Sequence, residues 1–182
     1  MKEKLPMTTQ QPLQEGYYRT EDGGWEIIAN HEIQGVTPEM IDWWWDHIDS
    51  TEHYKLWHPR DHVSFEWVVS PANGHIGAVS RIEEFFNGFP EIPVVVEIRW
   101  DDPGEANAEY DHVLLASGTG EVSARLMHEY EAAPFGTRMR SHFHFPPETP
   151  EAFIRALYEH NKQEMQYFST FLPNLHQTQV GE

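Results

Sequence analysis

Two short stretches carry the residue types that hold metal ions or move protons. The first is WHPRDH, which packs His58, Asp61 and His62 into six positions. The second is HNKQE, which sets His160 and Glu164 four residues apart. On a helix that spacing projects both side chains from one face, and a His–Glu pair of this kind is a common half of a metal site. The surrounding apolar positions are Phe153, Leu157, Phe168 and Phe171, spaced by threes and fours. That periodicity makes one core-facing stripe, and His160 and Glu164 lie in the middle of it. A carboxylate buried among aromatics costs several kcal/mol unless it is paired or metal-bound. A plain His–Glu hydrogen bond, or a helix turned so that both reach water, would also satisfy the pair.

Two ligands do not make a site, so further donors are needed. The run AVSRIEEFFNG offers Glu83 and Glu84. Alternation along a strand puts Ile82, Glu84 and Phe86 on one face, with Arg81, Glu83 and Phe85 on the other. The apolar neighbours of Glu84 turn it inward. The same test turns Glu97 outward, opposite Val94, Val96, Ile98 and Trp100. His58, Glu84, His160 and Glu164 then compose a set of two His and two Glu. The chain has no cysteine, so thiolate ligation is excluded. An N/O set suits Zn²⁺ first, and Mn²⁺, Fe²⁺ or Ni²⁺ also fit it. His128 shares an inner face with Leu126 and Tyr130, which makes it a cavity residue of near-neutral ordinary pKa. His142 and His144 begin a cupin-like metal motif at Gly136, but no second half follows. Met139, Phe143 and Phe145 take the inner face there and turn both histidines outward.

The elements that must position these residues are legible in outline. TPEMIDWWWDHID reads as a helix with Thr37 as N-cap and Pro38 at its first position. HYKLWHPRDH reads as a loop. Strand-like runs follow, punctuated by NG, PG, SGTG and FG turns. A long helix closes the chain from Glu148 to Leu172, with Pro173 expected to end it. A curved antiparallel sheet of about seven strands around one long C-terminal helix satisfies this order. That is the α+β helix-grip architecture, START/Bet v 1-like, which encloses a cavity for a small ligand. The expected organisation is a flexible arm over 1–16, one metal-binding domain over 17–176 and a flexible tail over 177–182.

Composition narrows the partners. A formal charge of −18 disfavours nucleic acid. Neither a membrane-spanning apolar run nor a secretory leader is visible, so the expectation is a soluble, cytoplasmic protein. The 13% aromatic content, with seven Trp, is ample for a core.

The pairing of YKLWHPRDHVSFEW, an inward Glu on the next strand and a terminal HNKQE resembles the 2,4-diacetylphloroglucinol hydrolase family, which includes phloretin hydrolase. The resemblance runs from about Trp25 to Leu172. It implies a Bet v 1-like fold and zinc held by His58, Glu84, His160 and Glu164. It also implies cleavage of the carbon–carbon bond between an acyl group and a phenolic ring. His128, Tyr54 and Tyr130 would surround the phenol, and Asp61 would orient the loop histidine. Trp43–Trp45 would offer a stacking surface. A small aromatic ketone is the implied substrate, and a homodimer the implied assembly. A non-catalytic binder of apolar ligands, or a metal enzyme of other specificity, are the alternative readings of the same fold.

Overall fold

The computed structural model describes residues 14–87, 89–119 and 124–181. The strands are β1 (Gly16–Arg19), β2 (Trp25–Gln34), β3 (His62–Val69), β4 (Val79–Phe86), β5 (Phe89–Asp101), β6 (His112–Gly118), β7 (Arg125–Ala133) and β8 (Gly136–Phe145). The helices are α1 (Pro38–His47), α2 (Thr51–Trp57) and α3 (Glu151–Val180). All strand pairs are antiparallel, in the order β1-β2-β8-β7-β6-β5-β4-β3. The eight strands curl around α3, and α1 and α2 bridge between β2 and β3. This is the helix-grip architecture.

Each element follows from local chemistry. Thr37 caps α1 by accepting from Met40 N, with Pro38 at the first position. Adjacent tryptophans on α1 separate. Trp44 and Trp45 enter the core, while Trp43 stacks on His47 at 4.4 Å between ring centroids. The inner faces of the strands are apolar by alternation. Ile82 and Phe86 on β4, and Met139, Phe143 and Phe145 on β8, are buried.

Three expectations change. The chain before β3 is not all loop: Thr51–Trp57 forms α2, capped by Ser50, which accepts from His53 N. Its one buried residue, Tyr54, gives too little periodicity to reveal it in sequence. The sheet has eight strands. Third, α3 starts at Glu151 and passes through Pro173 to Val180. A proline inside a helix costs roughly 3 kcal/mol. Packing beyond it offsets that cost: Leu175 lies on the α1-side core cluster and Trp43 meets His176 edge-on. Of the segments expected to be flexible, residues 1–13 and 182 lie outside the described residues.

Candidate metal centre and cavity

Tyr54, His58, Asp61, His62, Glu84, His128, His160 and Glu164 are all buried. Elements from both ends of the chain bring all but His128 to one place, around the middle of α3. His160 and Glu164 come from the sheet-facing side of that helix. Glu84 comes from β4, and His62 opens β3 directly across from it in the β3–β4 ladder. A register shift between His62 and Ser64 follows at once. Such a bulge bends the strand and re-aims its side chains.

The geometry around His62 and His160 is specific. His62 Nδ1 donates to Tyr54 O at 2.8 Å. His160 Nδ1 donates to Asp61 Oδ2 at 3.1 Å. Both Nε2 atoms are buried without a hydrogen-bond partner among the described residues. His62 Nε2 lies 3.4 Å from Glu84 Oε2 and 3.5 Å from Glu164 Oε2. His160 Nε2 lies 3.5 Å from Glu164 Oε2 and 3.9 Å from Glu84 Oε2. These separations are long for hydrogen bonds. They approach the edges of a tetrahedron of donors around a metal at about 2.0–2.1 Å, which are roughly 3.4 Å. His62, His160 and Glu164 form one group able to hold a metal ion. Glu84 adds a fourth donor.

Further donors hold the carboxylates in place. Tyr54 Oη donates to Glu84 Oε2 at 2.6 Å, and its ring stacks on His62 at 3.7 Å. Asn161 Nδ2 donates to Glu164 Oε1 at 2.9 Å. Asp61 receives Arg60 Nε at 2.9 Å and Asn87 N at 2.6 Å as well as His160. Asn87 has φ 55°, a left-handed backbone that Asn adopts more readily than most residues.

His58 sits on the other side of His160. Its Nδ1 accepts Asp61 N–H at 3.1 Å, which puts its proton on Nε2. That Nε2 is 3.8 Å from Asp61 Oδ2, and the ring stacks on His160 at 4.7 Å. His58, Asp61 and His160 form a second group with metal-compatible spacing. There, however, both Asp61 oxygens, His58 Nδ1 and His160 Nδ1 already have partners, and of its unpartnered nitrogens His58 Nε2 faces only Asp61.

Charge follows this geometry. Burial opposes protonation of His160, but Glu164, Asp61 and Glu84 outweigh it and raise its pKa to about 10. Burial pushes Glu164 up, yet His160 and His62 hold it well below the usual carboxylate range. For Glu84, burial wins and raises the pKa. Burial and then Glu84 raise the Tyr54 phenol well above its ordinary value. Burial, helped by His160, lowers His58 to about 4.

A cavity of about 130 Å³ opens beside the cluster. One water needs only about 10–15 Å³, so there is room for a small organic molecule. Its walls are mostly apolar and aromatic, including Trp45, Trp57, Trp100 and Phe143. Tyr54, Glu84, His160 and Glu164 face it at one side and His128 on β7 at another. Trp45 stacks parallel to His128 at 6.0 Å. Tyr130 instead commits its hydroxyl to Asp42 Oδ1 at 2.6 Å, because that end of β7 packs on α1. His142 and His144 lie on the outer face, with His142 Nε2 3.8 Å from Glu26.

His62 lies in the WHPRDH stretch but outside the ligand set expected from the sequence. The signal was its place at the head of β3, opposite Glu84 once the hairpin is paired. The unrecognised helix α2 hid the Tyr54 carbonyl that aims its ring.

Fold and cluster together define a helix-grip protein with a buried His/Glu centre beside an apolar cavity. Residues 2–152 match the DAPG hydrolase PhiG domain, and the chain belongs to that family of hydrolases. The match ends at the start of α3, so His160 and Glu164 join the site through the fold. The chain is similar to phloretin hydrolase of Eubacterium ramulus, at 23% identity over 197 residues, covering 88% of this chain and 70% of that protein. Solved structures share the fold at lower identity. Ara h 8.0201 aligns at TM-score 0.55 and 16% identity, over 87% of this chain and 99% of its own. KanY aligns at 0.57 and 10%, over 81% and 97%. A Rhodobacter sphaeroides protein aligns at 0.54 and 15%, over 88% and 99%. No described helix is long and apolar enough to cross a membrane.

Proposed function

We propose that this protein is a metal-dependent hydrolase that cleaves the carbon–carbon bond between an acyl group and a phenolic ring. The observation that carries the reading is the pair of bare, buried Nε2 atoms of His62 and His160, each facing the carboxylates of Glu84 and Glu164 beside an apolar cavity. Those four residues would hold the ion. Zinc suits a thiolate-free N/O set of two His and two Glu. His62 replaces His58 in the set expected from sequence, because its free nitrogen points at both carboxylates. When bound, the ion supplies Lewis acidity to a ketone carbonyl in the cavity.

The chemistry balances as an acyl–aryl ketone plus water giving a carboxylic acid and the deacylated phenol. Water adds to the carbonyl carbon. The ring carbon leaves with the bonding pair and takes up a proton. The apolar walls hold the aryl ring and limit bulk water. Tyr54 fixes Glu84 and presents a phenol that stays protonated. Asp61 holds the His160 ring and its tautomer. His128 faces the substrate from the far wall. Burial lowers its pKa to about 4, so it is neutral at neutral pH.

Zinc-loaded protein should convert an acylphloroglucinol or a phloretin-like ketone to deacylated phenol and acid, with one ¹⁸O from labelled water in the acid. Stoichiometric metal without turnover of any acylphenol would point to another specificity. Neither metal nor turnover would leave a binder of apolar ligands.

A further inference from the structure

Behind the cavity wall a buried chain of polar side chains runs on beyond the metal site. It links Glu164 to His128 through Asn161, His31 and Ser141, and all five are buried. Asn161 Nδ2 donates to Glu164 Oε1 at 2.9 Å. Asn161 Oδ1 lies 3.1 Å from His31 Nε2. His31 Nε2 is also 3.0 Å from Ser141 Oγ, and Ser141 Oγ is 2.8 Å from His128 Nδ1. Four elements are needed to build it. Ser141 pairs directly with His128 across β7 and β8, His31 lies diagonally on β2, and Asn161 comes from α3.

The order of donors along this chain follows from its charged end. A carboxylate only accepts, so Asn161 must turn its NH₂ to Glu164 and its oxygen to His31. That oxygen needs a donor, which puts the His31 proton on Nε2. Ser141 then faces a donor on its His31 side. Its single proton has His128 Nδ1 as the available acceptor. His128 must therefore carry its proton on Nε2, the nitrogen left for the cavity. Burial lowers His31 to about 3 and His128 to about 4, so both rings are neutral and each has one proton to place.

We infer that Ser141, His31 and Asn161 are positioning residues that lock His128 as the neutral Nε2–H tautomer, so that it acts on the substrate as a hydrogen-bond donor to an oxygen. A neutral imidazole is a very weak acid, but it is a competent electrophile toward a carbonyl or phenolate oxygen. The ring-carbon proton then comes from elsewhere, water being the chemically sufficient source. The donor role rests on the acylphenol reading. The tautomer does not.

The test is long-range ¹H–¹⁵N correlation of the histidine rings in the full-length protein as purified, at neutral pH. His128 and His31 should each show one protonated nitrogen, Nε2. A proton on His128 Nδ1, a doubly protonated ring or a tautomer mixture would overturn the inference. Ser141→Ala should convert His128 to a mixture while His31 keeps its form; an unchanged His128 would overturn the assignment of Ser141. In turnover, His128→Gln preserves an N–H donor. It should keep kcat within about tenfold of wild type, the scale of one imperfect hydrogen bond. His128→Ala should lose much more. Equal losses would overturn the donor role. Absence of wild-type turnover would refute the functional reading, while the ring spectra would still decide the tautomer.

Discussion

The two faces of the His160 ring meet clusters built from the same residue types, and the clusters do different things. On the Nδ1 side lie Asp61 and His58. Asp61 is satisfied by Arg60, Asn87 and His160; His58 Nδ1 accepts the Asp61 amide, while its Nε2, 3.8 Å from Asp61 Oδ2, has no partner among the described residues. On the Nε2 side lie His62, Glu84 and Glu164, where two imidazole nitrogens have no partner. A His-rich cluster is thus not a site by composition. What distinguishes the two is convergence: the unpartnered His62 and His160 nitrogens each face two carboxylates, whereas the unpartnered His58 nitrogen faces only Asp61, whose oxygens are already used.

Substitution should break this comparison most sharply at His62. His62→Ala removes a converging donor and should lower metal affinity by more than the roughly 10–100-fold that loss of a supporting partner costs. Elemental analysis after dialysis against a weak chelator reads this. Asp61→Asn should fall within that 10–100-fold range, because it loosens the His160 ring without deleting a ligand. His58→Ala should change metal content least, although removing its stacked ring leaves a small cavity.

Acidity sharpens the contrast. In metal-free protein, His160 and His58 depart from the ordinary 6.5 in opposite directions, to about 10 and about 4. A raised folded pKa means that the His160 contribution to stability is complete below pH 6.5 and is lost as pH rises through 10. A lowered one means that the His58 contribution is complete above pH 6.5 and is lost as pH falls through 4. Ring titration by NMR should show His160 charged and His58 neutral at pH 7.5. Metal binding near that pH must then expel the His160 proton. Calorimetry in buffers of different ionisation enthalpy should report about one proton released per ion. The smallest effect belongs to Tyr54→Phe. It removes one hydrogen bond to Glu84, worth about 1.5–3 kcal/mol where the acceptor is charged, and should show as a lower melting temperature.

Much of this was legible in sequence, for physical reasons. Glu84, Met139, Phe143 and Phe145 were placed by strict alternation, which a half-buried strand enforces. His160 and Glu164 were placed by helical spacing against a phenylalanine stripe. The preference for His62 over His58 that we propose was not legible. It depends on a seven-residue helix with one buried residue and on a bulge, both set by tertiary packing. The continuation of α3 past Pro173 was hidden for the same reason: contacts of Leu175 and His176 with the α1 side outweigh a local helix breaker. The chain from Glu164 to His128 joins residues 31, 128, 141 and 161, and only the folded sheet brings them together.

The most direct test of the central claim is anomalous diffraction at the metal edge from crystals of the metal-loaded protein. The account predicts one ion per chain, bonded to His62 Nε2, His160 Nε2, Glu84 and Glu164, with His58 outside its reach. An ion seated between His58, Asp61 and the Nδ1 side of His160 would contradict it.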